Sequence, residues 1–320
     1  MNSIRALLLA AGYGTRLRPL TLRMPKPVVP VLNEPLAGYS LRLLAGAGVD
    51  RVAVNTHHLP RQVEQELKDG GRWGVKLTYS HEPEILGTGG AMVKLRSFLS
   101  AGDVFLVING DVICEPDLAA LLEFHRRHQA AATMLVRELE PGSKYTPLEM
   151  DEAGRLVTFK NVHLQPYGSV RRVMFCGVHV FDPIVFDFLP ASGYCCVNET
   201  AYPAMLHQGL RVYGFEYRGP WLELGTPADY LRANLDLLSG RVKLSVVRPA
   251  QLDRLRSGVL SGEDVLVEPG AQIGPEVVLG SGCHVLSSAQ IAHSVIWPGC
   301  RLQGKIEGAV VAGDDLKLVV

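Results

Sequence analysis

The sequence contains no long run of apolar residues. Runs such as Ala6–Ala11 and Val104–Ile108 have the length of a buried strand, well short of the roughly 20 residues needed to span a bilayer. The apolar run after Arg5 gives way to Gly12-Tyr13-Gly14, which is too early and too polar for a signal peptide. These absences predict a cytoplasmic protein without a membrane partner.

Neither sign of charge is in excess. Lys+Arg and Asp+Glu both total 32, whereas proteins that bind nucleic acid or anionic lipid surfaces usually carry a marked basic surplus. We therefore expect no nucleic-acid partner.

Paired cysteines are also absent. The six cysteines form no CxxC motif and no zinc-like spacing, and the adjacent Cys195 and Cys196 cannot readily bridge each other. This pattern predicts reduced thiols, as in a cytoplasmic protein.

The first half of the chain alternates short apolar strands with helical segments. With 320 residues, 47% of them hydrophobic, the chain can bury a substantial core and favours two domains. The predicted strands are Ile4–Ala10, Arg51–Asn55, Val75–Ser80 and Val104–Asn109, and the predicted helices are Pro35–Ala45, Pro60–Lys68 and Thr88–Leu99. This alternation predicts an α/β fold with a Rossmann-like, mostly parallel sheet.

The tail repeats every six residues. Large apolar residues recur at Val267, Ile273, Leu279, Val285, Ile291 and Trp297, and smaller ones at Ala271, Val277, Cys283, Ala289 and Val295. With Gly274, Pro275 and Gly280 at corners, this period is typical of a left-handed parallel β-helix, whose stacked coils bury one column of side chains. The alternative is an antiparallel meander. The predicted domains are 1–240, a connector at 241–262 with one short helix near Ala250–Arg256, and a β-helix at 263–320.

A glycine-rich segment, Ala10–Gly14, follows the first predicted strand. Its small residues allow a phosphate chain or a base to approach the backbone, and exposed N–H groups there would bind anions. Arg16 adds a planar fork for phosphate oxygens, and Lys26 adds a point charge between Pro25 and Pro27. The segment fits neither the GxGxxG nor the GxxxxGK[ST] fingerprint.

The run Leu9–Thr21 with Pro25-Lys26-Pro27 resembles the signature of the sugar-1-phosphate nucleotidylyltransferases. Leu86–Ala91 resembles the base-recognition loop of that family, Val107–Asp111 a strand-end metal motif, and Trp221–Leu231 a second metal motif with the helix that follows. The six-residue repeat is similar to the β-helix that many members carry. The resemblance implies a nucleotide site formed by Leu9, Ala10, Ala11, Gly12, Gly14, Thr15, Arg16, Lys26, Gly87, Thr88 and Gly110, with Arg16, Lys26 and Asp111 as the catalytic residues.

Two acidic residues are the expected ligands of Mg²⁺. Asp111 ends a buried strand after Gly110, at the edge of the sheet where open α/β folds bind ligands. Glu223 stands where the family usually has Asp, and its extra methylene moves the carboxylate by about a bond length. Thr226-Pro227 would begin the following helix.

The sugar side departs further from the family pattern. In Phe159-Lys160-Asn161 only the lysine of the Glu-Lys-Pro motif remains, so Lys160 either holds the sugar phosphate or is a solvated strand-end residue. Gly177 lies in a stretch that resembles the strand passing under the sugar. Asn198 and Glu199 resemble residues that bind sugar hydroxyls.

The resemblance implies transfer of a nucleotidyl group from a nucleoside triphosphate to a sugar 1-phosphate, with release of pyrophosphate. The mannose-1-phosphate guanylyltransferase branch is the first expectation, with GTP and mannose 1-phosphate as substrates and GDP-mannose as product. Enzymes that form UDP- or dTDP-sugars, including the uridylyltransferase for N-acetylmuramate 1-phosphate, are an alternative. A catalytically silent regulatory homologue, an enzyme whose β-helix also transfers acyl groups, and an oxidoreductase are the others. A homo-oligomer formed through the β-helix or the catalytic domain is expected.

Overall fold

The computed structural model describes residues 4–245 and 258–320. The short helix expected near Ala250–Arg256 lies outside the described residues. The chain forms two compact units. The first unit comprises Met1–Gly12, Ser40–Val112 and Pro116–Gly219, and the second comprises Tyr13–Tyr39, Ile113–Glu115 and Pro220–Val320.

The strands and helices are numbered in chain order. The strands are β1 Arg5–Leu9, β2 Pro30–Val31, β3 Glu34–Pro35, β4 Arg51–Thr56, β5 Lys76–His81, β6 Phe105–Asn109, β7 Val112–Cys114, β8 Ala132–Glu138, β9 Leu148–Asp151, β10 Leu156–Phe159, β11 Val162–His163, β12 Val170–Phe181, β13 Val212–Glu216, β14 Trp221–Glu223, β15 Val259–Ser261, β16 Leu266–Val267, β17 Gln272–Ile273, β18 Val277–Leu279, β19 His284–Val285, β20 Gln290–Ala292, β21 Ser294–Ile296, β22 Arg301–Leu302, β23 Lys305–Glu307, β24 Ala309–Val311 and β25 Lys317–Val319. The α-helices are α1 Leu36–Gly46, α2 Pro60–Leu67, α3 Gly87–Lys94, α4 Arg96–Leu99, α5 Leu118–Arg127, α6 Ala201–His207 and α7 Pro227–Leu238. In the described parts of the chain, no helix is long and apolar enough to cross a membrane.

The first unit is built on one mixed sheet. Its strand order is β11-β10-β9-β12-β6-β1-β4-β5, and β8 pairs with both β12 and β13. Strand β1 runs parallel to β4 and β6, and β4 runs parallel to β5. The parallel sheet predicted from the first half of the chain is therefore confirmed.

The second half of the chain extends this sheet with antiparallel strands. The long strand β12 pairs antiparallel with β6, β8 and β9, and its register shifts between Phe175 and His179. Apolar residues from both halves form the core of the unit, with Phe105, Phe181 and Tyr202 among its largest fully buried side chains.

The helix predicted over Thr88–Leu99 is two helices. Helix α3 ends at Lys94 and α4 begins at Arg96, because Leu95 between them leaves helical geometry, with φ −103° and ψ 15°. The first of the two begins at Gly87, which has a positive φ of 70°. The segment Leu86–Ala91, which resembles a base-recognition loop, thus leads into the first turn of α3.

The tail forms three small sheets in the second unit. Strands β15, β18, β21 and β24 lie side by side in parallel, as do β16, β19 and β22, and β17, β20 and β23. This arrangement fits a β-helix, and its parallel pairs rule out the antiparallel meander. The last strand, β25, closes one sheet in the antiparallel direction.

The predicted inward column is confirmed at Leu279, Val285, Ile291 and Trp297, which are all buried. The prediction is wrong at Val267, which is 50% exposed. Val267 lies on β16, the edge strand of its sheet, and among the described residues no strand pairs with its outer side. Leu260 and its partner on the next strand of the sheet, Val278, are separated in sequence by the length of three six-residue repeats. The later pairs in the same sheet are separated by fewer residues.

The core of the second unit joins the tail to a segment near the start of the chain. Leu17, Val31 and Tyr39 belong to the same apolar cluster as α7 and the stacked strands. Leu32 N donates to the buried Asn234 Oδ1 at 2.9 Å, and Asn33 Nδ2 donates to the Leu279 carbonyl at 2.8 Å. The compact units therefore group residues differently from the predicted domains, and the boundaries at 240 and 262 stay predictions.

Candidate functional site

Within the first unit, the predicted nucleotide and metal motifs lie at adjacent strand ends. Strands β1 and β6 run in register, so that Leu9 pairs with Asn109, and Gly110 N donates to the Leu9 carbonyl at 3.0 Å. A Cβ at position 110 would lie 2.5 Å from that carbonyl oxygen, so only glycine fits there. Asp111 follows in the turn between β6 and β7, half-buried, at the carboxyl edge of the parallel strands where open α/β sheets bind ligands.

Ala10 does not have the exposed N–H group that the sequence predicts. Its N–H donates to the Oδ1 atom of Asn55 at 2.7 Å, and Ala10 is only 2% exposed. Asn55 is the neighbour of Leu9 in the β1–β4 register, so its side chain reaches the first residue beyond β1. Ala10 therefore shapes the start of the glycine-rich segment as a small buried residue, and its N–H is unavailable to an anion.

Asn55 connects this segment, through Glu82, to the loop that is predicted to recognise the base. Asn55 Nδ2 donates to Glu82 Oε1 at 2.8 Å, and Glu82 Oε2 accepts from Leu86 N at 2.9 Å. Asn55 is 4% exposed and Glu82 is fully buried. One continuous set of hydrogen bonds thus joins Ala10 to Leu86.

The base-recognition loop is also held from its other side. Gly89 N and Gly90 N both donate to the Cys195 carbonyl, at 2.8 and 3.2 Å. A Cβ at position 87 would lie 2.6 Å from that same oxygen, and a Cβ at position 90 would lie 2.4 Å from the Gly193 carbonyl oxygen. The glycines around Thr88 are therefore required by close packing against residues 193–195.

The same stretch of chain leads into the predicted sugar-binding residues. Asn198 follows Cys195 by three positions, and its side-chain oxygen is buried without a hydrogen-bond partner in the described part of the chain. A buried acceptor of this kind needs a donor, which a sugar hydroxyl could supply.

Two further sugar-side residues contact each other. Lys160 Nζ lies 3.3 Å from Glu199 Oε1, and both side chains are about half exposed, at 52% and 58%. Lys160 occupies the turn between β10 and β11.

Gly177 lies at the register shift of β12 with a φ of 94°, and a Cβ there would be 3.4 Å from Asn109 Cβ. Gly177 is thus next to the strand end that carries Asp111.

Within the second unit, Lys26 is held against the glycine-rich turn. Gly14 has a φ of 61°, and its carbonyl accepts from Thr21 Oγ1 at 2.9 Å. A Cβ at position 14 would lie 2.9 Å from Thr21 Cγ2 and 3.2 Å from Lys26 Cβ. Lys26 begins a short 3₁₀ turn after Pro25 and is only 7% exposed, so its position is fixed although its side chain is long and flexible.

Arg16 and Glu223 form an ion pair in the second unit. Arg16 Nη2 lies 3.1 Å from Glu223 Oε1, with the Arg16 side chain 54% exposed and that of Glu223 12% exposed. Gly225 leaves room for the pair, because a Cβ there would lie 3.2 Å from Arg16 Nη1. Thr226 and Asp229 form a reciprocal capping box at the start of α7, which confirms the predicted helix start.

Carboxylates suitable for magnesium are present in both units. Asp111 and Glu223 supply hard oxygen atoms, and Mg²⁺ in proteins is commonly held by one or two carboxylates together with substrate phosphates and water. Across residues 4–245 and 258–320, no group of three or more His, Cys, Asp or Glu side chains could hold a metal ion. Each of these carboxylates, taken by itself, is of the kind that binds a magnesium ion together with substrate phosphates and water.

Sequence reasoning did not assign roles to Asn55, Glu82 or Cys195. Asn55 and Glu82 each lie at or just after the end of a parallel strand, and a polar residue there is a signal that could have been used. The role of Cys195 rests on its backbone carbonyl, for which a single sequence contains no signal.

Known proteins of one enzyme family are similar to the chain over most of its length. The profile of the family described as "Nucleotidyl transferase" matches residues 5–240. The mannose-1-phosphate guanylyltransferase catalytic subunit beta of Drosophila pseudoobscura pseudoobscura is 36% identical over 286 residues, which cover 89% of this chain and 72% of that protein. The mannose-1-phosphate guanylyltransferase of Mycobacterium tuberculosis is 32% identical over 305 residues, 94% of this chain and 82% of that protein.

A third relative differs in its substrates. The UTP–glucose-1-phosphate uridylyltransferase of Synechocystis sp. is 28% identical over 340 aligned positions, covering 95% of this chain and 87% of that protein. Among solved structures, HddC from Yersinia pseudotuberculosis superposes with a TM-score of 0.58 at 22% identity, over 72% of this chain and 98% of that chain. That likeness shows the fold alone. With the family profile matched over most of its length, the chain belongs to the nucleotidyl transferase family.

Proposed function

We propose that the protein transfers a guanylyl group from GTP to mannose 1-phosphate, giving GDP-mannose and pyrophosphate. Support for this substrate pair comes from the relatives named mannose-1-phosphate guanylyltransferase, which align with 89% and 94% of the chain. Support for nucleotidyl transfer comes from the fixed backbone at the ends of β1 and β6, where Gly110 N bonds to the Leu9 carbonyl.

The nucleotide site in this proposal has a neutral part and a charged part. Ala11, Gly12 and Thr15 surround the phosphates, and the first turn of α3 with Gly87 and Thr88 faces the base. Lys26 and Arg16 offset the negative charge of the triphosphate. Because Lys26 is already buried against the turn that contains Gly14, little side-chain freedom is lost when it meets a phosphate.

The sugar site uses the residues around Asn198. The unpartnered Asn198 oxygen accepts from a sugar hydroxyl, and Gly177 lets the sugar approach the strand. Lys160 binds the sugar phosphate, for which it must exchange its contact with Glu199. That exchange costs little, because exposed ion pairs contribute about 0–1 kcal/mol.

The chemical step in this proposal is a direct displacement. A phosphate oxygen of the sugar 1-phosphate attacks the α-phosphorus of GTP, and pyrophosphate leaves in line as the α–β bond breaks. Asp111 and Glu223 are each proposed as a ligand of magnesium, and a bound magnesium ion would supply charge neutralisation on the phosphates. The protein residues contribute by positioning the two substrates and by electrostatic stabilisation.

A matrix of nucleoside triphosphates and sugar 1-phosphates, read out by pyrophosphate release, tests the proposal. GTP with mannose 1-phosphate should give the highest kcat/KM, at least tenfold above any other pair. No pyrophosphate release with any pair would identify a catalytically silent binding homologue instead. Acyl transfer by the β-helix would need an acyl donor, so consumption of a thioester in the same assay tests that alternative.

Formation of UDP-glucose is the second candidate function. The Synechocystis relative, a UTP–glucose-1-phosphate uridylyltransferase, aligns with 95% of the chain. A higher kcat/KM for UTP with glucose 1-phosphate would favour this candidate, and the same matrix covers dTTP and N-acetylmuramate 1-phosphate. The left-handedness of the β-helix, the homo-oligomer and the cytoplasmic location stay predictions.

A further inference from the structure

The hydrogen-bonded pair Asn55–Glu82 links the two loops to which the proposed function assigns the nucleotide. We propose that Asn55 and Glu82 are positioning residues that fix the glycine-rich segment relative to the base-recognition loop, and so set the affinity for the nucleotide. This inference rests on the proposed function, because it assumes that both loops contact the nucleotide.

The backbone N–H groups at the two ends of the pair determine which side-chain atoms donate and which accept. Ala10 N–H is a donor, so the Asn55 oxygen must face it at 2.7 Å and the Asn55 NH₂ group must face Glu82 at 2.8 Å. At the far end Leu86 N–H is another donor, which the second Glu82 oxygen accepts at 2.9 Å. An amide followed by a carboxylate therefore satisfies every group in the chain of bonds.

Because both side chains are buried, the loss of any one of these hydrogen bonds is energetically costly. Asn55 is 4% exposed and Glu82 is fully buried, so a lost partner cannot easily be replaced by water. The backbone carbonyl of Glu82 is fixed as well, because it lies 2.8 Å from His57 Nδ1. The strands beneath are held in register, with Leu9 beside Asn55 and Thr56 beside His81. The pair thus acts as a rigid spacer between the ends of β1 and β5.

The spacer has no direct role in the chemistry. Neither side chain is exposed, and the amide group of Asn55 and both carboxylate oxygens of Glu82 form hydrogen bonds within the protein. Its effect should therefore appear in the binding of the nucleotide, with little effect on the sugar 1-phosphate, whose proposed contacts lie on other segments.

Four variants test the proposal: Asn55→Asp, Glu82→Gln, the double exchange Asn55→Asp with Glu82→Gln, and the surface control Gln65→Glu with Glu66→Gln, whose two positions are exposed on α2. Asn55→Asp sets two carboxylates against each other, and Glu82→Gln leaves one side-chain oxygen for two donors. The double exchange restores every bond, because the new carboxylate at position 55 accepts from Ala10 N–H and from the new amide at position 82. The oxygen of that amide then accepts from Leu86 N–H.

Each single exchange should raise the KM for GTP, and the dissociation constant for GTP measured by calorimetry, by about tenfold or more. The KM for mannose 1-phosphate should change by less than about threefold. The double exchange should recover GTP binding to within about threefold of wild type, and the strong non-additivity is the signature of direct coupling. The surface control should match wild type in both constants.

The proposal is overturned if a folded Asn55→Asp variant binds GTP as wild type does, or if the double exchange is no better than the worse single exchange. A merely structural role would lower the melting temperature while leaving the ratio of the two KM values unchanged, and that result also overturns it. If one single variant fails to fold, the other decides: a raised KM for GTP with an unchanged KM for mannose 1-phosphate supports the proposal, and equal changes in both overturn it. Wild-type protein that binds GTP but releases no pyrophosphate would contradict the proposed function and leave the calorimetric test of the spacer intact.

Discussion

The two compact units hold their proposed functional groups in different ways. In the first unit, backbone groups are fixed by other backbone groups and by buried amides, as at Gly110, Gly89 and Ala10. In the second unit, the charged side chains of Arg16, Lys26 and Glu223 are mounted on a core shared with the stacked strands of the tail. Close packing thus explains the glycines at positions 89 and 110, and the apolar core of the second unit supports the charged side chains.

The largest effect is expected at Lys26. Lys26→Ala should lower kcat/KM for GTP by at least about a hundredfold, because a positioned cation facing the triphosphate is removed. Steady-state kinetics with the exposed Lys76→Ala as control provide the measurement, and wild-type turnover of a folded Lys26→Ala protein would refute the role of this charge.

The next effect tests the scaffold of the second unit. Tyr230 OH donates to the Pro30 carbonyl and accepts from Trp297 Nε1 at 3.0 Å, and Tyr230 is fully buried. Tyr230→Phe leaves both partners unsatisfied and should lower the free energy of unfolding by about 2 kcal/mol, measured by denaturant titration. The exposed Tyr194→Phe is the control. An unchanged denaturant midpoint would show that these hydrogen bonds do not stabilise the packing of the tail against the segment near the start of the chain.

A third prediction separates contact with the nucleotide from packing. A Cβ at Gly12 would meet no atom within 4 Å, whereas one at Gly110 would meet a carbonyl oxygen at 2.5 Å. Gly12→Ala should therefore keep its melting temperature and raise the KM for GTP by about tenfold, because the added methyl group occupies space that a phosphate needs. Gly110→Ala should lower stability by about 1–3 kcal/mol. Equal KM values for Gly12→Ala and wild type would remove Gly12 from the nucleotide site.

The smallest expected effect is a dependence of stability on pH, which arises from buried histidines of the first unit. Burial lowers the pKa of His179 from 6.5 to about 3, and burial likewise lowers the pKa of His125 to about 4. Below pH 6.5 the unfolded chain binds protons that the folded protein does not, so stability falls as the pH falls toward those folded pKa values. The loss contributed by His179 alone should be about 1 kcal/mol between pH 6.5 and 5.5.

His179→Phe isolates this contribution. The variant should be less stable than wild type at pH 7.5, because Tyr202 OH loses its partner at 2.7 Å, but its stability should fall less steeply with acid. The histidines described in the second unit, His284 and His293, are half-buried and lie 3.0 and 3.2 Å from glutamate oxygens. If the free energy of unfolding falls equally steeply with acid in wild type and variant, His179 is not the source of the pH dependence.

The sequence predicted the part of the fold that local pattern determines. Strand β1, helix α1 and strand β4 lie within a residue or two of their predicted bounds, because continuous apolar runs and one-sided helices are visible in the sequence. The antiparallel pairing of β12 was not predicted, since it depends on contacts between Val178 and Ile108 that are far apart in the chain.

The sequence likewise predicts only part of the candidate site. The sequence places Gly87 and Gly110 in the nucleotide site, which stays a prediction, and it contains no sign of the carbonyl groups that lie too close for a Cβ at these positions. The engagement of Ala10 by Asn55 was missed because a free N–H and a bonded N–H look the same in a sequence. Lys160 and Glu199 were named separately, and only the fold brings them within 3.3 Å.

The shared core of the second unit has a consequence for how the protein is made. Asn33 bonds to Leu279 and Arg23 pairs with Asp315, partners that a ribosome adds more than two hundred residues later. Contacts this far apart in sequence slow folding and leave early segments unfinished during synthesis. The segment that contains Lys26 must therefore wait for the tail, so translation that stops before the tail emerges should yield a first unit with its sheet complete and its cationic segment exposed to chaperones and proteases.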